Sequence, residues 1–279
     1  MPVEQRKIWA QELQARYQVS IVLSCWVVGI SRTAFYYQKR LVDDSAIIDA
    51  LNRLVEKHQR WGFPKCFKRL RALGYRWNHK RVHRVYKMLK LNLKRKRKQR
   101  LPTRHPEPLI VPTQPQQCWS MDFMSDQLKN QVRFRTFNVI DDFNRQILGI
   151  DIALGLPAVR VTRYLDWLAE QYGYPQKVRV DNGTEFTSRE FTGWAEKHGV
   201  KVDFIKPGCP YQNAYIERFN RTYRHEVLDL YLFNSLKEVR HLTEQWIAVY
   251  NYQRPHDSLN DLTPIEFKNQ TLNSTLQLC

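Results

Sequence analysis

The sequence predicts an α/β domain, a mixed sheet flanked by helices, preceded by an all-α front part with helix-turn-helix outlines. Three observations carry this. Up to residue 100 the apolar residues recur at helical spacing, whereas from residue 118 three strand-like stretches give way to alternating helix and strand patterns. Between the two patterns, residues 101–117 hold Pro102, Pro106, Pro108, Pro112 and Pro115, the composition of an extended, stiff linker. Charge divides at the same place. Of the 45 Lys and Arg and 27 Asp and Glu, residues 1–110 hold 26 and 7, a net +19; the remainder holds 19 and 20, a net −1.

In residues 1–42, Ala15 to Trp26 reads as one helix and Gly29 as a break. Ser31 then serves as N-cap of a second helix, Arg32 to Lys39. Residues 43–100 repeat the outline. Asp43 to His58 reads as a helix with Ile47, Leu51, Leu54 and Val55 on one face. Pro64 opens a helix through Leu73, which Gly74 ends. Asn78 caps a third, whose buried stripe is Val82, Val85, Tyr86 and Leu89. Its outer face is left to Lys80, Arg81, Arg84 and Lys87, a polar face that suits a major groove. The unbroken basic run Lys94, Arg95, Lys96, Arg97, Lys98 follows, and beside such a helix pattern it favours phosphate contact over a merely solvated tail.

After the linker, Cys118–Ser125, Val132–Asp141 and Gln146–Ile152 read as strands, the last two joined through Asn144-Arg145. Pro157 starts a helix to Tyr172, and Lys177–Val180 is a short strand. Ser188–His198 is a helix, Val200–Ile205 a last strand, and 206–210 a loop. Tyr211 to Leu230 reads as one long helix and Leu236–Asn251 as another. The organisation expected is thus a helix-turn-helix-like segment (1–42), a helix-turn-helix domain with a basic tail (43–100), the linker (101–117), a catalytic core (118–235) and a C-terminal helix and tail (236–279).

The 279 residues, 43% hydrophobic and 13% aromatic, suffice for a real core, which excludes a wholly disordered chain. A basic front on a near-neutral body implies a polyanionic partner, nucleic acid first and a membrane surface second. The five cysteines, Cys25, Cys66, Cys118, Cys209 and Cys279, are widely spaced, as reduced thiols in a cytosol would be. His79 and His83 have a zinc-compatible spacing, but no cysteine pair follows them, so they read as polar residues on a basic helix. The longest apolar run, Ile21–Ile30 broken by Ser24, is too short to span a bilayer, and the chain reads as soluble and intracellular.

Three carboxylates stand out: Asp122 on the first predicted strand, Asp181 at the end of the fourth, and Glu217 on the long helix. The end of a strand in an α/β sheet is a common place for a site. Glu217 shares its helix with the polar Asn213, Asn220, Arg221 and Arg224, while Ile216, Phe219, Tyr223 and Val227 form the apolar face. Carboxylates suit Mg²⁺ or Mn²⁺, and two such ions can activate an attacking oxygen and stabilise a leaving one at phosphorus. Spacing alone leaves rivals open: Asp141 and Asp142 read equally as turn formers or as a competing pair, and Asp151 and Asp203 as sheet-edge charges.

Local context goes further. Asp181-Asn-Gly-Thr-Glu-Phe186, Pro207-Gly-Cys-Pro-Tyr-Gln-Asn-Ala-Tyr-Ile-Glu217-Arg-Phe-Asn-Arg-Thr-Tyr-Arg224, Tyr250-Asn-Tyr-Gln-Arg-Pro-His-Asp-Ser-Leu259 and Thr263-Pro264 resemble the DDE transposases of the two-frame insertion-sequence group, second-frame product, whose core is similar to that of retroviral integrases. The resemblance covers nearly the whole chain. It implies a ribonuclease H-like core in which Asp122, Asp181 and Glu217 ligate Mg²⁺ or Mn²⁺, two ions per site. It implies strand cleavage followed by attack of a DNA 3′-hydroxyl on another strand. It places Asn213, Arg221 and Arg224 at the DNA end. Cys209 departs from the family's loop, where a basic or polar residue is commoner. The partners implied are insertion-sequence ends and target DNA, further copies of the chain on that DNA, and an upstream-frame product, fused or separate, that supplies a leucine zipper. The expected location is the bacterial cytoplasm, at the nucleoid. Two other readings use the same features: a DNA-binding regulator with an inert core, and a ribonuclease H-like nuclease for which water is the only nucleophile.

Overall fold

A computed structural model describes residues 2–38, 43–93, 109, 111–206 and 210–276. The chain forms two compact units, 1–46 and 47–279.

The first unit holds α1 (Val3–Tyr17), α2 (Ile21–Val28) and α3 (Arg32–Tyr36) around Ala10, Cys25 and Phe35. The expected single helix Ala15–Trp26 is instead two. Gln18 takes a left-handed conformation (φ 50°) that ends α1, and the Ser20 hydroxyl caps α2 by accepting from the Leu23 amide at 3.3 Å. Gly29 (φ 69°) ends α2, and Ser31 caps α3, as expected.

The second unit opens with α4 (Ser45–Lys57), α5 (Phe63–Ala72) and α6 (His79–Met88). Asn78 caps α6 through the Lys80 amide, and Gly74 (φ 91°) supplies the turn between α5 and α6. Leu51, Cys66, Leu70, Val82, Val85 and Tyr86 are their buried seam. The run Lys94–Lys98 and most of the proline-rich segment lie outside the described residues. Cys25, Cys66 and Cys118 are free, buried thiols.

Five strands follow: β1 (Cys118–Gln127), β2 (Arg133–Asp141), β3 (Ile147–Ala153), β4 (Lys177–Val180) and β5 (Lys201–Phe204), in the order β3-β2-β1-β4-β5. The first three are antiparallel, and β1, β4 and β5 run parallel, so the sheet is mixed as predicted. Alternation sorts the side chains. Trp119, Met121, Phe137 and Val139 enter a core shared with α7 (Ala158–Tyr172) and α8 (Arg189–Lys197). Phe134, Ile140 and Ile147 enter the opposite core, with α9 (Ala214–Tyr223) and α10 (Leu236–Tyr252). Val249 of α10 also packs on the seam of α4–α6.

The long helix expected over Tyr211–Leu230 is three pieces. A 3₁₀ turn, Pro210–Asn213, leads into α9, and α9 widens into a π turn, Arg224–Leu228. The extra residue per turn keeps Val227 and Leu228 in the core beside Tyr223. A helix unforeseen in the tail, α11 (Pro264–Leu276), starts at a capping box. Thr263 Oγ1 accepts from the Glu266 amide, and Glu266 accepts from the Thr263 amide. No helix among the described residues is long and apolar enough to cross a membrane.

Gly149 of β3 marks a close approach: a Cβ there would stand 2.2 Å from the Tyr164 hydroxyl and 2.9 Å from a Leu168 methyl, both on α7. Gly149→Ala is expected to lower stability by about 1–3 kcal/mol, the usual range for overpacking, as read from the midpoint of urea denaturation.

Candidate active site

Strand register brings the carboxylates together. Trp119, Met121 and Phe123 face α7 and α8, so Asp122 faces α9, directly across from Asn138 of β2. In the parallel pairing Ser120 sits opposite Arg179. Two residues further along both strands, Asp122 is level with Asp181, the residue after β4. Glu217 comes from the first turn of α9, which packs on β1 and β2. All three carboxylates are partly exposed.

Each is braced. Asp122 Oδ1 accepts from the Phe123 amide at 2.8 Å, and its Oδ2 accepts from Asn220 Nδ2 at 2.7 Å. Asn220 Oδ1 in turn accepts from Asn138 Nδ2 at 2.7 Å. Asp181 Oδ1 accepts from the Gly183 amide at 3.0 Å, and a Cβ on Gly183 would stand 2.9 Å from that oxygen. The loop carrying Asp181 is pinned on both sides: Phe186 is fully buried, and Glu185 is ion-paired to Arg135, whose guanidinium lies 4.5 Å over the Phe123 ring.

Burial pushes the Asp122 carboxyl up to about 6, and the charges of Asp181 and Glu217 push the same way, against the hydrogen bonds from Phe123 and Asn220. Asp122 therefore feels two other negative groups in a partly desolvated place, where a cation would relieve the repulsion. Their oxygens are hard donors of the kind Mg²⁺ and Mn²⁺ take. Among the described residues no three His, Cys, Asp or Glu side chains stand in a closed metal-holding group.

The other residues singled out in the sequence have varied surroundings. Arg221 is exposed one turn beyond Glu217. Arg224 donates to the Ser125 carbonyl at 2.7 Å and to Asp126 at 3.2 Å. Asn213 is buried at the entry to α9, with no hydrogen-bond partner for its Oδ1 among the described residues. On α6, Lys80, Arg84 and Lys87 are exposed and Arg81 is partly buried. His79 and His83 both pack on the Phe63 ring. Asp141 is a turn former, accepting from the Phe143 and Gln116 amides. Asp142 is buried and ion-paired with Arg179 at 2.8 Å, and Asp151 pairs with Arg160. Asn220, on sequence one of several polar residues of its helix, is the residue that the structure adds to the three carboxylates. The signal was an amide one turn after Glu217, beside an apolar stripe.

The sequence matches the HTH-like domain over residues 42–99 and the integrase core domain over residues 112–210 and 198–264. It is 37% identical to the 39.2 kDa protein of insertion element IS476 from Xanthomonas euvesicatoria, over 88% of this chain and 71% of that one. It is 36% identical to the 31.7 kDa protein of insertion element IS407 from Burkholderia multivorans, over 91% of this chain and 92% of that one. The putative transposase InsK of element IS150 from Escherichia coli is 26% identical over 87% of this chain and 91% of its own length. The chain belongs to the insertion-element transposases. As such a transposase it couples an HTH-like domain, α4 to α6, to an integrase core that begins just ahead of β1 and runs to the start of α11. The integrase core makes the transposase a polynucleotidyl transferase acting on DNA, and neither the regulator reading nor the nuclease reading is favoured.

Proposed function

We propose that this transposase cuts and joins insertion-sequence DNA with Asp122, Asp181 and Glu217 as its catalytic carboxylates, and that these three hold Mg²⁺ or Mn²⁺, two ions per site. The observation that carries the reading is the strand register that sets Asp122 level with Asp181 beneath the helix of Glu217. Bound there, the ions supply Lewis-acid stabilisation of charge at the phosphoryl oxygens.

The chain's own residues do the positioning. Asn220, held by Asn138, and the Phe123 amide fix both oxygens of Asp122. The Asp181 loop is fixed by Gly183, Phe186 and the Arg135–Glu185 pair. In cleavage a water oxygen attacks phosphorus and the departing 3′-oxygen takes a proton. In strand transfer that 3′-hydroxyl attacks a phosphorus of a second strand, and the oxygen it displaces takes the proton.

DNA is the partner. Exposed Lys80, Arg84 and Lys87, with Arg81 and the run Lys94–Lys98, take its phosphates, and Asn213, Arg221 and Arg224 lie toward the DNA end. Two ends handled together call for further copies of the chain on the DNA, with an upstream-frame product as partner. The bacterial cytoplasm, at the nucleoid, is the matching location.

The test is incubation of the chain, alone and joined to an upstream-frame segment, with its own terminal-repeat DNA and Mn²⁺. Joined products are expected. Cut products without joining would mark a nuclease, and no products in either form would mark a regulator. Asn220→Ala is expected to lower strand transfer about 10- to 100-fold, the range for a group that orients a metal ligand. The fall should shrink at raised Mn²⁺; an unchanged rate would remove Asn220 from the site.

A further inference from the structure

The segment Arg254-Pro-His256 belongs to the sequence pattern of the family, yet the carboxylate site does not use it. It lines a cavity of about 480 Å³ against the helix of Glu217. Lys65 from α5, Arg145 from the β2–β3 turn, Arg218 from α9, and Arg254 and His256 after α10 all line this cavity. Four cationic side chains from four parts of the second unit thus meet in one recess.

Among the described residues, one of the four is in an ion pair. Glu226 pairs with Arg254 at 2.8 Å. On the rim, Asp257, like Asp261, is bonded to Lys68. Among the described residues no carboxylate forms an ion pair with Lys65, Arg145 or Arg218. Arg145 is 9% exposed, stands in a left-handed turn (φ 62°), and lies over the Tyr215 ring at 3.4 Å. Its Nη1 and the Nε2 of His256 are buried without a hydrogen-bond partner among the described residues. Buried polar groups are ordinarily paired, so the unpartnered Arg145 Nη1 and His256 Nε2, in one recess with Lys65 and Arg218, describe a receptor for an anion. Burial and the charge of Arg254 lower the Lys65 pKa, and burial with the surrounding cations pushes His256 down to about 3. In both, burial is the larger cause, and the neighbouring cations push the same way.

We propose that this cavity binds a backbone phosphate of the DNA strand held along α9, with Lys65, Arg145 and Arg218 as its cationic contacts. The proposal rests on the reading of the chain as a DNA-joining transposase. A tetrahedral phosphate oxyanion is the matching ligand, because guanidinium and ammonium donors converging from several sides satisfy its oxygens together. Arg218 follows Glu217 directly in the sequence. The cavity would therefore hold the strand on the flank of the helix that presents the carboxylate.

The test uses the full chain and a labelled duplex carrying its own terminal repeat, with affinity measured by fluorescence anisotropy between about 50 and 200 mM salt. Lys65→Gln with Arg218→Gln avoids the more buried Arg145, and circular dichroism checks that the fold is retained. Loss of one phosphate contact is expected to weaken binding about tenfold and to flatten the log–log salt slope by about 1, with the pair Lys65→Arg and Arg218→Lys restoring both. Wild-type affinity and slope in the Gln pair would overturn the proposal. If Lys80→Ala with Lys87→Ala then weakens binding, DNA binding by the chain stands and only the cavity falls. If neither pair changes anything, both readings fall. Phosphorus NMR of inorganic phosphate separates the two sources of the anion. Phosphate binding that needs Lys65 and Arg218 without any effect on DNA would assign the cavity to a free anion and overturn the proposal.

Discussion

Asp122→Asn, Asp181→Asn and Glu217→Gln should each abolish strand transfer while leaving affinity for duplex DNA unchanged. Each replacement keeps the size of the side chain but removes a negative oxygen donor, so the loss falls on charge stabilisation at phosphorus. A fall of at least about a thousandfold is expected, or roughly 4 kcal/mol of transition-state stabilisation. DNA binding should persist because the exposed basic face of α6 belongs to a different packing cluster from the sheet. The measurement is formation of joined product by a labelled terminal duplex with Mg²⁺ or Mn²⁺, beside an anisotropy titration of the same duplex. Full joining activity in any one of the three would remove that residue from the site. Reduced DNA affinity equal to the loss in joining would instead mark a folding defect.

The second large effect lies in stability. The Arg179–Asp142 pair is closed off from solvent, with the two side chains 5% and 0% exposed. Arg179 stands on β4, whose far end delivers Asp181. Removing the guanidinium in Arg179→Leu leaves a buried carboxylate without its counter-charge, which typically costs about 3–5 kcal/mol. For a unit of this size the thermal midpoint should fall by roughly 10 °C. Burial already raises the Asp142 pKa above the usual carboxylate range, against the Arg179 charge. Without that charge, Asp142 binds its proton more readily in the folded state, so the deficit should shrink as pH falls and grow as pH rises. Adding Asp142→Asn to Arg179→Leu removes the stranded charge and should recover much of the loss. A double variant no more stable than Arg179→Leu would show that packing, not charge, made the difference.

Most of the second unit was legible in the sequence because its signals are local. The strand alternation of Trp119, Met121 and Phe123, the Asn78 cap, and the terminator Gly74 each act within a few residues. The misreadings were also local. The cap at Ser20 divides the expected helix Ala15–Trp26 between α1 and α2. Thr263-Pro-Ile-Glu266, in the expected tail, opens α11. The π turn after Tyr223 has no composition cue, because it arises from keeping Val227 and Leu228 in a core supplied by α10.

What the residues determined by themselves was the class of chemistry: a basic front for a polyanion, and three carboxylates in family motifs for work on phosphorus. The tertiary structure decided which groups act together. Asp142 and Asp181 are equally acidic on paper. Only pairing of β1 with β4 sends one to Arg179 and the other to Asp122. Asn220 is one polar residue among several on its helix in the sequence; the packing of α9 on β1 turns its amide onto Asp122. Lys65 and Arg254, far apart in the chain, line one cavity only because α5 and the end of α10 meet there. The reason is physical. Side-chain type and local spacing fix what a residue can do, whereas burial, repulsion and hydrogen-bond partners depend on neighbours brought together through register and packing.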